Sequence, residues 1–131
     1  MAFIIWVDRY NVGIDEIDIQ HKKLVELINV LFDTISLKDR KEALNKAFTE
    51  LVNYTIYHFK LEEELMKTHH FPEYDSHKKE HLAFVDKVNN YIRTLKIEDT
   101  KALLEIINFL KNWLLNHILI NDKKYVKYVN K

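Results

Sequence analysis

The sequence predicts an all-α protein: an antiparallel up-down-up-down four-helix bundle with an N-terminal arm. Three observations predict it. Only one glycine and one proline occur in 131 residues, too few for a chain of turns and strands, so long helices are the default. Apolar residues recur in alternating steps of four and three through four stretches, the period of one helix face. The breaks between the stretches are short, and short connections force neighbouring helices to be antiparallel. A chain of this length is one domain's worth and can build a real core, so residues 1–131 are read as a single domain.

The arm comes first. Met1 to Val7 is apolar but lacks a basic leader, a long apolar stretch and a small-residue cleavage site, so it is not read as a signal peptide. Phe3, Ile4, Ile5, Trp6 and Val7 are expected to pack along the bundle. The first helix is expected from Asp15 to Leu37, with Ile17, Leu24, Ile28, Leu31 and Ile35 on one seam. The second runs from Arg40 to Lys67, with Leu44, Phe48, Leu51 and Leu65 inward. The third runs from Glu73 to Leu95, with Phe84, Val88 and Leu95 inward. Pro72 before it suits a first helical position, where a missing N–H costs nothing. The fourth runs from Thr100 to Leu119, with Leu103, Ile106, Leu110 and Trp113 inward, Asp99 as its N-cap, and a short tail from Asp122.

Composition excludes several functions. The formal net charge is zero, which argues against a nucleic-acid surface, because displacing counterions needs a basic excess. The runs His77-Lys78-Lys79 and Lys123-Lys124 are read as solvated helix faces. There is no cysteine, so disulfides, thiolate metal sites and cysteine nucleophiles are excluded. A reducing cytoplasm is compatible with that composition. No run of consecutive apolar residues approaches the roughly 20 that a membrane helix needs, so no membrane role is expected.

The chemistry sits in gaps of the seams. Ile17, His21, Leu24, Ile28, Leu31 keeps the helical step, so His21 occupies a core position. The same holds for His58 and Glu62 between Thr55 and Leu65, for His77 and His81 before Phe84, and for His117 after Trp113. A single inward histidine is usually a hydrogen-bonded core residue, and a single His-Glu pair four residues apart is usually a surface ion pair. Six such residues on four helices are different. A buried carboxylate without a partner is costly, and a metal cation removes that cost. Topology agrees: starts of odd helices and ends of even ones lie at the same end of an antiparallel bundle, so all six converge there.

Asp122 fits less easily. It follows His117 by five residues, about 140° around a regular helix. It faces the same way only if the helix ends or widens between them, as at a π-bulge or terminal loop.

Five histidines and two carboxylates make seven ligands, more than the six of one octahedral ion or the four of a zinc site. Two ions sharing both carboxylates is the economical solution. With three histidines on one ion, two on the other and a bridging oxide or hydroxide, the ions reach six and five ligands, leaving one open position. Imidazole suits iron, zinc, copper and nickel alike, so these residues alone do not choose the metal. Leu24, Phe59, Trp113, Leu114 and Ile118 are expected to wall the open position. They are equally good as plain core packing. An apolar wall without an obvious acid limits proton supply and favours reversible binding over oxidation.

The motifs resemble one known family. They are Trp6, Val12-Gly13-Ile14, Ile17-Asp18-Ile19-Gln20-His21-Lys22-Lys23-Leu24, His58-Phe59-Lys60-Leu61-Glu62-Glu63, His77-Lys78-Lys79-Glu80-His81, and Trp113-Leu114-Leu115-Asn116-His117 followed by Asp122 and Tyr125. Together they span nearly the whole chain, which is similar to the hemerythrins, especially their single-domain bacterial members. The resemblance implies two Fe ions bridged by Glu62, Asp122 and an oxide or hydroxide. It assigns His77, His81 and His117 to the filled iron and His21 and His58 to the open one. It also implies reversible binding of O2, as a carrier, store or delivery protein rather than an enzyme. Two alternatives stand beside it: an O2 or redox sensor, and a di-iron oxidase, peroxidase or nitric-oxide-processing protein. O2 is the expected partner, and a delivery protein is compatible with the reading. Tyr125 is read either as a neighbour of the ligands or as packing for the tail. His69 and His70 match no ligand position and are expected in an exposed loop.

Overall fold

The computed structural model describes residues 3–129. Met1, Ala2, Asn130 and Lys131, the outermost residues of the expected domain, lie outside the described residues. The helices are α1 (Asp15–Thr34), α2 (Lys41–Thr68), α3 (Tyr74–Thr94) and α4 (Thr100–Asn116). A π-helical turn, His117–Asp122, follows α4 and leads directly into α5 (Lys123–Val129). The expected tail is therefore a helical continuation. α1 packs on α2 and α4, and α2 packs on α3. The ring closes between α3 and α4 through side chains, with Phe84 stacked on Trp113 at 4.0 Å and Phe109 beside Phe84 at 5.9 Å. The result is the expected four-helix bundle.

The seams are buried largely as their periods predict. Ile17, Leu24, Ile28 and Leu31 of α1 are buried, with Leu44, Phe48 and Leu51 of α2, Phe84 and Val88 of α3, and Leu103, Ile106 and Leu110 of α4. Ile35 and Leu95, just past their helices, are half-buried. On α2 the buried stripe ends at Met66, while Leu65 is half-buried. His58, Glu62 and Met66 lie four residues apart, and each four-residue step drifts about 40° around the helix. A strict four-three pattern does not follow that drift. Trp113 is half-buried, lying across the α3–α4 seam rather than inside it.

Local chemistry sets the ends. Asp99 caps α4, its Oδ1 accepting from the Ala102 N–H at 3.1 Å, one of the donors a helix start leaves without a partner. Pro72 does not take the first helical position. It sits at the second position of a turn closed by Tyr74 N–H to Phe71 O at 3.2 Å, where its fixed φ is equally welcome. α2 ends with His70 at φ 56°, while Phe71 N–H reaches Met66 O and His70 N–H reaches Lys67 O. That is the Schellman arrangement. His70 is exposed as expected, but His69 is half-buried.

The arm lies along α1. Ile4 is buried and exchanges two hydrogen bonds with the Asn29 side chain, at 2.7 and 2.9 Å. Ile5 and Val7 point outward, and Phe3 and Trp6 are half-buried. Gly13, at φ 99°, turns the chain so that the Val12 and Gly13 N–H groups both donate to the Asp18 carboxylate. At the opposite end of the bundle Arg40 joins two loops. It donates to Ile35 O at 2.8 Å, to Ile97 O at 2.7 and 3.0 Å, and to Thr100 Oγ1 at 3.1 Å.

The continuous helical stretch Thr100–Val129 is long and apolar enough to cross a membrane by length and composition, with a best-window mean hydropathy of 1.2. Averaging over a helix reveals this where counting consecutive apolar residues did not. Its apolar face is used inside the bundle, where Leu103, Ile106, Ile107, Leu110, Leu114 and Ile118 are buried.

Candidate metal centre

Each candidate donor is delivered by helix position. α1 brings His21, α2 brings His58 and Glu62, α3 brings His77 and His81, and the π-helical turn brings His117 and Asp122. These last two are the first and last residues of that turn. Bonding from i to i+5 widens the turn enough to set them on one face, the geometry their five-residue spacing demands. Asn121 ties the turn to α3 through a 2.8 Å hydrogen bond from Nδ2 to Glu80 Oε2.

The seven side chains form two groups that share two members. Glu62, His77, His81, His117 and Asp122 form one, and His21, His58, Glu62 and Asp122 form the other; within each, one ligand atom per residue lies within 4.8 Å of all the rest. All seven residues are buried, and Glu62 and Asp122 are 0% exposed. Asp122 divides its oxygens between the groups. Oδ2 lies 2.9 Å from His21 Nε2, and Oδ1 lies 2.8 Å from His117 Nε2 and 3.2 Å from His77 Nε2. Glu62 uses one oxygen for both. Its Oε1 is 3.2 Å from His58 Nε2, 3.4 Å from His81 Nε2 and 3.5 Å from His117 Nε2. Its Oε2 accepts from the Tyr125 hydroxyl at 2.6 Å.

Much of this proximity is not hydrogen bonding. His21 Nδ1 and Nε2, His58 Nε2, His77 Nε2, His117 Nδ1 and both Asp122 oxygens are buried without a geometrically acceptable hydrogen bond. Native interiors pair the large majority of such atoms. Nitrogens and carboxylate oxygens converging at 2.8 to 3.5 Å in poor hydrogen-bond geometry are the arrangement a cation resolves. Imidazole nitrogens and carboxylate oxygens are donors of the kind a transition metal takes, so the residues present fit a pair of metal ions.

Electrostatics agrees. Burial works against the charge on Glu62, but the imidazoles around it, His58 first and then His117 and His81, hold it well below the usual carboxylate range. Asp122 is held low in the same way: burial and Glu62 push it up, and His117 and His21 outweigh them. Burial would lower His117, yet Asp122 and then Glu62 raise it to about 10. His58 is lowered, chiefly by burial and against the pull of Glu62. Without metal, a proton held on His117 offsets part of the charge of the two carboxylates. A metal ion needs that nitrogen free and releases the proton when it binds.

Other side chains hold the donors from outside. The Gln20 carbonyl oxygen lies 2.7 Å from His58 Nδ1, and Glu63 Oε2 lies 3.1 Å from His81 Nδ1. Both stand in the sequence motifs with no role attached to them, each adjoining a donor, at His21 and at Glu62. A polar residue one step off an inward seam faces the neighbouring helix, and that is the signal that finds them. Tyr125 is wholly buried and bonded to Glu62, so it is both core packing and a neighbour of the donors. Its phenol is pushed far up by burial and then by Glu62 and Asp122, so it stays protonated.

An apolar wall stands beside the donors. Phe59 stacks on His81 at 3.7 Å with an interplanar angle of 2°, and Trp113 stacks on His117 at 4.5 Å. A narrow cavity is lined by Leu24, Phe59, Trp113 and Leu114 together with Ile28, Leu51, Thr55, Phe84 and Leu110. Ile118 is not in that lining, although it is fully buried. It follows His117 by one residue within the widened turn, and that step rotates it away from the cavity.

The chain matches the family model described as the hemerythrin HHE cation binding domain over residues 12–129. It is 40% identical over 130 residues to the bacteriohemerythrin of Pseudomonas paraeruginosa, covering 98% of this chain and 83% of that protein. It is 29% identical over 126 residues to the bacteriohemerythrin of Clostridium acetobutylicum, covering 93% of this chain and 98% of the other. Among solved structures, wild-type hemerythrin superposes with a TM-score of 0.83 at 26% identity, over 99% of this chain and 100% of that one.

Proposed function

This chain belongs to the hemerythrin family, and from that premise we propose that it holds two iron ions and binds O2 reversibly, as a cytoplasmic carrier or store acting as one domain over residues 1–131. The observation that carries the reading is the pair of donor groups, five residues and four, that share Glu62 and Asp122. In this reading His77, His81 and His117 would hold one iron and His21 and His58 the other, with Glu62 and Asp122 available to both. A di-iron pair supplies two electrons to a ligand and takes them back. The chain's own residues decide whether that exchange stays reversible.

Those residues favour reversibility. The smaller group has one histidine fewer, so an ion held there would have one donor fewer and room for a small ligand. Leu24, Phe59, Trp113 and Leu114 present apolar surface beside the donors, which limits water and the protons that water carries. The nearest phenol, Tyr125, donates its proton to Glu62 and is held protonated by burial, so it is a poor acid. Gln20, Glu63 and the stacked rings of Phe59 and Trp113 fix histidine orientation. Fixed donors resist rearrangement when a small ligand enters or leaves.

The test starts from anaerobically reduced protein assayed for iron. It is exposed to air and then sparged with argon while the ligand-to-iron charge-transfer band is followed. Full reversal over repeated cycles is expected. Irreversible conversion to the diferric form with peroxide released would make the protein an oxidase instead. Trp113→Ala removes a ring from the cavity wall and should shorten the lifetime of the O2 complex. An unchanged lifetime would remove the protective role of the wall.

A further inference from the structure

Of the five candidate metal-binding histidines, His58 and His81 have a side-chain acceptor behind the ring among the described residues, and the two acceptors differ in charge. His58 Nδ1 meets the neutral carbonyl oxygen of Gln20 at 2.7 Å in a fully buried contact. His81 Nδ1 meets the carboxylate of Glu63 at 3.1 Å, and Glu63 is 19% exposed. By contrast, His21 Nδ1 and His117 Nδ1 are buried without a partner. The two anchored rings fall in different donor groups: His58 with the four, His81 with the five.

An acceptor behind a metal-binding imidazole sets its tautomer and its donor strength. When Nε2 takes a metal, Nδ1 carries the proton and donates it. A carboxylate acceptor pulls that proton harder than an amide does, because hydrogen bonds to ionised groups are stronger than neutral ones. The pull makes the ring a better electron donor, and its negative charge also favours a more positive ion. The Gln20 bond is shorter, but it brings a dipole and no net charge. His81 is further restrained by Phe59, stacked on it at 3.7 Å, which holds the plane of the ring.

We propose that Gln20 and Glu63 are positioning residues that make the two ions electronically unequal: Glu63, acting through His81, stabilises the higher oxidation state on the five-donor side, and Gln20, acting through His58, leaves the four-donor side the easier to reduce. This rests on the di-iron reading above. The ion that keeps the vacant position is then the one most readily kept ferrous.

The experiment is a stepwise reduction of the iron-loaded full chain, each step taking one electron from added dithionite, with Mössbauer spectra at half-reduction. The first ferrous ion should appear on the four-donor side. Glu63→Gln should raise the potential of the other ion and narrow the gap between the two steps, while Glu63→Asp should keep the gap. Gln20→Glu should lower the potential of the four-donor ion and narrow the gap from the other direction. The double exchange should reverse the order of reduction. An unchanged gap in Glu63→Gln with both irons present, or a first ferrous ion on the five-donor side of the unaltered protein, would overturn the proposal. If Gln20→Glu does not fold, Glu63→Gln decides alone. If Glu63→Gln does not retain iron, cobalt(II) titration of the metal-free protein replaces the potentials. A loss of roughly 10- to 100-fold at the five-donor ion alone supports the proposal, and equal loss at both ions or a loss at the four-donor ion overturns it. Failure of the unaltered protein to bind two irons is a separate result, against the di-iron reading itself.

Discussion

Where the 35–40 and 95–99 loops meet, Arg40 saturates the carbonyls of Ile35 and Ile97 and reaches Thr100, above a core of Leu31, Leu44 and Leu103 with no exposed surface. At the other end of the same four helices, Glu62, Asp122 and five ring systems are equally buried, but many of their polar atoms lack an acceptable hydrogen bond. Both ends are tightly enclosed. The first closes on itself by the rules of an apolar core, with polar groups paired. The second gathers imidazoles and carboxylates that attract one another, yet leaves many of their polar atoms without a hydrogen bond. The difference teaches that burial alone does not measure stability: one end is complete as protein, and the other leaves donors that metal ions would complete.

Three substitutions break or sharpen that contrast. Glu62→Ala has the largest expected effect, because it removes a member of both donor groups. The paired centre should be lost, read as iron per chain and as loss of magnetic coupling, and retention of two coupled irons would refute the bridging role. Leu103→Ala acts at the opposite end, where the side chain is 0% exposed. It should cost about 2–5 kcal/mol, seen as a lower denaturation midpoint, while iron content stays constant. Parallel loss of iron would show that the two ends are not independent. His70→Gly has the smallest effect. His70 holds a positive φ of 56° beside the donor end, a conformation that costs a side-chain-bearing residue about 1–2 kcal/mol. Glycine should therefore raise the melting temperature slightly, without changing iron binding. A lower melting temperature would mean that the imidazole contributes more than its backbone costs.

Much of this contrast is legible in the chain. The seams, the inward histidines and Glu62 follow from a local period, which depends only on helix geometry and survives any rearrangement of the bundle. Their shared end follows from short loops. Asp122 is legible only as a condition, that the helix must widen, and the π-helical turn from His117 to Asp122 meets it. Met66 in place of Leu65, and Ile118 outside the cavity, were not legible, because each depends on small accumulated rotations that a repeating pattern does not carry. Pro72 was misplaced for a related reason: its fixed φ suits both a helix start and a turn.

The sequence by itself determined the helices, the donor types and the end of the bundle where they gather, because all three depend on spacing along one chain. Tertiary structure decided what crosses between helices. It divides Asp122 between His21 and the His77–His117 pair, sets Tyr125 on Glu62, and backs His58 with an amide and His81 with a carboxylate. Those contacts depend on how each helix is turned against its neighbour, and packing of whole faces sets that angle.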